Sequence, residues 1–254
     1  MLFSSSQIIM NPVTKVYLEA ISVNAPEIAA TLLEKYGDQI DVANHGGECL
    51  VNACKTTNIG LIKLLLKQGA DPSYNSNYVI RVLPDKGDFP EVIAMLLANP
   101  KCDPIASTNI SIRNACTKGR IETVKLLLAD TRVDPSASNN ECINYAAQEG
   151  HTEIVKCLLA HPKVDPTNVD CRPIRYAGNK GHKEVVKILL QDARMKMDQI
   201  KKGCEENNAM NSYFFIESVK KEMDASVPQK SKPDITGDLK DMMNILSKIL
   251  TKLE

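Results

Sequence analysis

Tryptophan is absent from the 254 residues, and aromatic side chains make up only 4%. So few rings leave little from which to build platforms that stack nucleic-acid bases. Neither sign of charge is in excess, since Lys+Arg and Asp+Glu both number 31. That balance removes a nucleic-acid or anionic-membrane footprint spread over the whole chain. No apolar run approaches the length needed to span a bilayer. The first ten residues lack a basic start and a sustained apolar core, so they are not expected to form a secretory signal.

Eight cysteines are present, at positions 49, 54, 102, 116, 142, 157, 171 and 204, with no C-x-x-C pair and no Cys/His spacing suited to zinc. Read as small hydrophobes, they suit a reducing, cytoplasmic setting, without ruling out the nucleus. A phosphate-cradling glycine loop, a G-x-S-x-G elbow and an H-E-x-x-H helix are all missing. We therefore expect no enzyme, no cofactor, no metal, no nucleic acid and no membrane partner.

What the chain does have is a period. Asp-Pro recurs at Asp71-Pro72, Asp103-Pro104, Asp134-Pro135 and Asp165-Pro166, at intervals of 32, 31 and 31 residues. Asp41 lies 30 residues before Asp71, and Asn11-Pro12 lies 30 before Asp41. Six units follow, 11–40, 41–70, 71–102, 103–133, 134–164 and 165–195. Nine residues after each Asp stands Leu50, Ile80, Ile112, Ile143 or Ile174. A small residue usually follows three later, at Ala53, Ala115, Ala146 and Ala177. Gly119, Gly150 and Gly181 are then expected to end the first helix, because glycine tolerates the left-handed conformation of a helix stop. A second helix with a wide apolar stripe follows, as in Ile154-Val-Lys-Cys-Leu-Leu159. No unit can bury such a stripe alone, so the fold must be a stack.

The runs Gly150-His151-Thr-Glu153-Ile154-Val155-Lys-Cys-Leu158-Leu159 and Gly181-His182-Lys-Glu184-Val185-Val186-Lys-Ile-Leu189-Leu190 resemble the ankyrin repeat. Lys67-Gln-Gly69-Ala70-Asp71 is similar to the loop that closes an ankyrin unit. The Asp-Pro-Ser and Ile-Arg variants resemble arrays of large DNA viruses and amoebal organisms. The resemblance implies an all-α solenoid of stacked helix pairs with a C-terminal helical extension. It also implies a scaffold whose first helices and loops bind another protein. The Thr-Pro-Leu-His start of the family survives only in part, at Arg172-Pro173-Ile174-Arg175. The segment from Asp134 to Ile143 is also about three residues short of the family pattern. Stubby or missing β-fingers, and almost no strand, are therefore expected.

The family's binding face, transferred slot by slot, holds Lys55, Thr56, Thr117, Lys118, Gln148, Glu149, Asn179 and Lys180. A second ladder, Arg81, Arg113, Asn144 and Arg175, follows the leading Ile of each unit. It reads as a tie between neighbouring turns or as a stripe for an acidic partner segment. Asn77, Asn109 and Asn140 read as N-caps. His151 and His182 read as structural, and His45 and His161 as loop residues. Pro84 is expected to shorten or distort the first helix of unit 71–102, as a tolerated defect or as a bend in the stack.

Beyond 195 the pattern decays into an expected cap at 196–223, with an apolar patch at Tyr213-Phe214-Phe215-Ile216. A linker at 224–236 and an amphipathic helix at 237–254 follow. In that helix Leu239, Met242, Leu246, Ile249 and Leu253 are spaced 3, 4, 3 and 4 apart. The stripe has three possible uses: packing on the stack, self-association, or recruitment of a second complex such as ubiquitin-ligase machinery, which would make the protein an adaptor.

Overall fold

The computed structural model describes residues 11–23 and 25–226. The expected helix at 237–254, with Leu239, Met242, Leu246, Ile249 and Leu253, lies outside the described residues. Among those described there are fourteen α-helices, one 3-10 turn at Gly37–Gln39 and no strand. The first helices are α1 (Pro12–Ser22), α3 (Val42–Lys55), α5 (Tyr74–Lys86), α7 (Ala106–Thr117), α9 (Ala137–Gln148), α11 (Asn168–Lys180) and α13 (Met197–Glu206). The second helices are α2 (Pro26–Tyr36), α4 (Ile59–Lys67), α6 (Pro90–Ala98), α8 (Ile121–Ala129), α10 (Thr152–Leu159), α12 (Lys183–Gln191) and α14 (Met210–Ser226). Each set packs along its own row, first helix on first and second on second.

Burial follows the repeat. Leu50, Ile80, Ile112, Ile143 and Ile174 are fully buried, and so is the first leucine of each second-helix pair: Leu65, Leu96, Leu127, Leu158 and Leu189. The second leucine of each pair is half-buried against the shared core. At roughly 1.5–3 kcal/mol per buried aliphatic side chain, this ladder is the main source of cohesion. Glycine can set the spacing directly. A Cβ on Gly47 would lie 2.5 Å from the Tyr74 Cβ, so α3 approaches the next unit closely only because that atom is missing.

The first helices of four units begin with a short left-handed turn. It spans Asn75-Ser76-Asn77, Ser107-Thr108-Asn109, Ser138-Asn139-Asn140 and Val169-Asp170-Cys171, all with φ near +50° to +60°. Such residues cost about 1–2 kcal/mol each, least for Asn and Asp, which bond locally. The preceding Asp anchors the turn. Asp134 Oδ1 accepts from Ser136 N at 3.0 Å and Ser136 Oγ at 2.7 Å, and Asp71 and Asp165 do the same for Ser73 and Thr167. This tight turn takes the place of a finger.

The asparagines at the end of the turn are not N-caps of their own helices. They are buried, and they reach the following unit. Asn77 Oδ1 accepts from Asp103 N at 2.8 Å, and Asn140 Oδ1 from Asp165 N at 3.0 Å. Asn109 spans the same gap through Nδ2, which donates to Asp134 O at 3.3 Å and leaves Oδ1 buried without a partner. Cys171 fills this slot in the last such unit, and Gly47 fills it in unit 41–70.

Pro84 neither shortens nor breaks its helix, contrary to the sequence expectation. Helix α5 runs on to Lys86, and its right-handed part after Asn77 holds only regular dihedral angles. The missing proline N–H would have bonded the carbonyl of Ile80. Ser111 Oγ, fully buried on α7, donates to that carbonyl at 2.8 Å instead. Arg120 Nε donates to Pro84 O at 3.2 Å. Asp88, in the stretch that makes this unit one residue longer than the next, accepts from Glu122 N, Thr123 N and Thr123 Oγ1 at the start of α8. The irregular unit is thus bonded into its successor along the length of α5 and the loop after it.

His45 also departs from expectation, since it lies within α3 rather than in a loop. The missing finger lets that helix begin at Val42. At the far end α14 packs on α11, α12 and α13, burying Ile216 and Val219. It continues to Ser226, past the expected boundary at 223. Of the aromatic patch, Tyr213 and Phe215 are half-buried while Phe214 stays exposed.

Candidate functional site

The ends of the first helices form a row. Lys55 and Thr56 close α3, Thr117 and Lys118 close α7, Gln148 and Glu149 close α9, and Asn179 and Lys180 close α11. The corresponding slot of the irregular unit, passed over in the sequence reading, holds Asp85 and Lys86. Asp85 lies 3.3 Å from Lys118 Nζ. The spacing of the Leu50–Ile174 series, applied without interruption, would have found both.

Two histidines clamp this row. His151 Nε2 donates to Thr117 O at 3.0 Å, and His182 Nε2 donates to Gln148 O at 2.9 Å. Each imidazole therefore reaches back to a carbonyl at the end of the preceding first helix, the position where carbonyls lack intrahelical partners. The glycines fit the same device. Gly150 has φ +78°, and a Cβ there would lie 2.8 Å from His182 Nδ1. These histidines tie units together, as the sequence reading favoured.

Lys55, Thr56, Lys118, Glu149, Asn179 and Lys180 are exposed, and Thr117 and Gln148 are half-buried. The hydroxyls of Thr56 and Thr117 bond backward into their own helices, to Asn52 O and Ala53 O and to Arg113 O. Gln148 Nε2 donates to Glu149 Oε1 at 3.0 Å. A partner would meet a fixed row of mixed charge and polarity.

The ladder Arg81, Arg113, Asn144 and Arg175 lies deeper. Asn144 and Arg175 are only 3% and 5% exposed. Arg175 Nε donates to Asp170 O at 2.8 Å, Asn144 Nδ2 to Asn139 O at 3.1 Å, and an Arg81 guanidinium nitrogen to Asn75 O at 3.4 Å. All three brace the left-handed turn of their own unit. Arg113 instead pairs with Glu141 of the next unit at 2.5 Å.

Sequence reasoning also missed Arg132 and Arg194. Arg132 holds Asp130 through two bonds, at 2.9 and 2.6 Å, and also donates to Cys102 O at 2.9 Å. Arg194 repeats this with Asp192 and Val164 O. The shared Asp-x-Arg spacing, two units apart, was the available signal. Donation from the arginine holds both carboxyls below the usual carboxylate range.

Burial pushes the thiols of Cys54, Cys102 and Cys171 up, to about 11, 12 and 11. All eight cysteines are free, and seven are buried. Among the described residues no cluster of His, Cys, Asp or Glu could hold a metal ion, and no helix is long and apolar enough to cross a membrane.

No curated protein matches the chain. Residues 112–200 match the family model for ankyrin repeats (3 copies). That stretch holds the two His clamps, the Asn140 link and the Asp-x-Arg pairs, all set on stacked helix pairs without a strand among the described residues. Over residues 112–200 the chain is thus similar to an array of ankyrin repeats, a module that generally serves protein–protein interaction.

Proposed function

We propose that the array binds a partner protein through the exposed ends of its first helices. The contacts are Lys55, Thr56, Lys118, Gln148, Glu149, Asn179 and Lys180, together with Lys86. One observation carries the reading. The carbonyls behind this row are held by His151 and His182, so the exposed side chains sit on a backbone already fixed before binding. A rigid display loses little conformational entropy when a partner docks. Catalysis has no support in this geometry, and display is the function it favours. The eight unpaired cysteines support a reducing, cytoplasmic setting.

The test is a triple charge reversal, Lys118→Glu, Glu149→Lys and Lys180→Glu, against a control reversal of exposed Lys125 on α8. Partner capture from the native host should fail for the triple variant and persist for the control, with both unfolding at the wild-type temperature. Equal capture by both variants would sink the reading.

A further inference from the structure

Seven arginines occur in the sequence, and all lie within the described residues. Six are committed. Arg113, Arg132 and Arg194 bond carboxylates, while Arg81, Arg120 and Arg175 bond backbone carbonyls. Arg172 alone has no hydrogen bond or ion pair among the described residues. It lines a cavity of about 340 Å³ between α11 and the turn joining α13 to α14.

The cavity's other walls share this character. Tyr176, Asn179, Asn207 and Asn208 line it, together with Arg175, Ala209 and Ser212. The side chains of Tyr176, Asn179 and Asn208 make no hydrogen bond within the described protein, and Asn207 uses only Nδ2, toward Gly203 O at 2.8 Å. No Asp or Glu lines the cavity. Uncommitted donors that share one cavity with a guanidinium, with no carboxylate lining it, make a site for an anion.

From this we infer that the cavity receives a carboxylate side chain of the partner, an Asp or Glu in an acidic segment laid along the first-helix row. The inference rests on the binding face proposed above and names one chemical group that face recognises. A carboxylate fits better than a phosphate. Only one guanidinium is free, because Arg175 is spent on Asp170 O and Val169 O, and a phosphate dianion would leave charge uncompensated. The planar fork of Arg172 matches a carboxylate through two parallel bonds, and the neighbouring amides supply neutral donors. Asn179 belongs both to the row and to the cavity, so a bound segment can reach both.

The probe is acetyl-glutamate amide, titrated into the isotope-labelled full chain and followed by amide chemical shifts. Acetyl-glutamine amide and inorganic phosphate serve as comparisons. Saturable shifts confined to residues 172–179 and 207–212, with glutamate at least about tenfold tighter than glutamine, are expected from a charge-assisted pair. Arg172→Gln should remove the preference, and Arg172→Lys should keep part of it. The Arg172 side chain makes no bond among the described residues, so both variants should melt as the wild type does. Asn179→Ala, at an exposed helical position, should weaken binding as well and provides a second reading. No saturation, equal binding of glutamine, or tighter binding of phosphate would each overturn the assignment. Partner capture separates the two claims: if Arg172→Gln leaves capture intact while the triple charge reversal abolishes it, the cavity is wrong and the face stands.

Discussion

Val169 opens the left-handed turn of its unit at φ 50°, a slot filled by Asn75, Ser107 and Ser138 in the earlier units. A β-branched side chain there crowds the backbone and has no polar atom to bond locally. Val169→Asn should therefore raise stability by roughly 1 kcal/mol, measured by urea unfolding. A loss of stability would mean that packing of the half-buried valine outweighs the strain. The asparagines that end these turns show what the sequence left hidden. Asn before a helix reads as an N-cap because capping is its commonest role there. Asn is also the non-glycine residue most at ease in the left-handed region, and the sequence pattern is the same for both. What decides is the Asp103 or Asp165 amide in the next unit, whose position only stacking reveals.

Among whole elements, α5 carries the clearest test of how helices share bonds across the stack. Ser111→Ala should leave the buried Ile80 carbonyl without a donor and cost about 1–3 kcal/mol. Pro84→Ala returns an N–H to that carbonyl, so Ser111→Ala in the Pro84→Ala background should cost clearly less. A double-mutant cycle by denaturant unfolding measures the difference, and zero coupling would show that the two residues act independently. Pro84 misled the sequence reading because a proline inside a helix is judged against its own turn. Its compensation comes from a residue 31 positions beyond the stranded carbonyl. By contrast, the second helices were readable in full, since their apolar stripes carry the period in the sequence itself. The binding face was legible in part. Exposed Lys118 and Lys180 followed from slot matching, whereas the burial of Asn144 and Arg175 depended on a left-handed turn with no sequence signature of its own.

Across the whole molecule, carboxylates make stability pH-dependent. Arg132 and Arg194 hold Asp130 and Asp192 below the usual range, and the bond from Ser136 does the same for Asp134. Because these values are depressed in the folded state, the stabilisation is fully present above the unfolded-chain value near about 4. It is lost as pH falls through the depressed values, where protonation favours the unfolded chain. The thermal midpoint should decline below about pH 4, and the double variant Asp130→Asn, Asp192→Asn should be weaker at neutral pH with a shallower acid decline. An unchanged slope would assign the acid sensitivity to other groups.

The Asn77, Asn109 and Asn140 links also bear on how the stack can change length. Each joins a side chain at one slot to the Asp that opens the next unit, so any unit of this kind can follow any other. Duplicating 134–164, or losing it whole, leaves an asparagine facing an Asp at each junction between Asn77 and Asp165. Units 71–102 and 103–133 are different. If 103–133 were lost, Cys142 would take the place of Ser111 opposite the Ile80 carbonyl, and a thiol is a weak donor. Those two units form a matched couple, gained or lost together, while the stretch after Asp134 is free to grow by whole units.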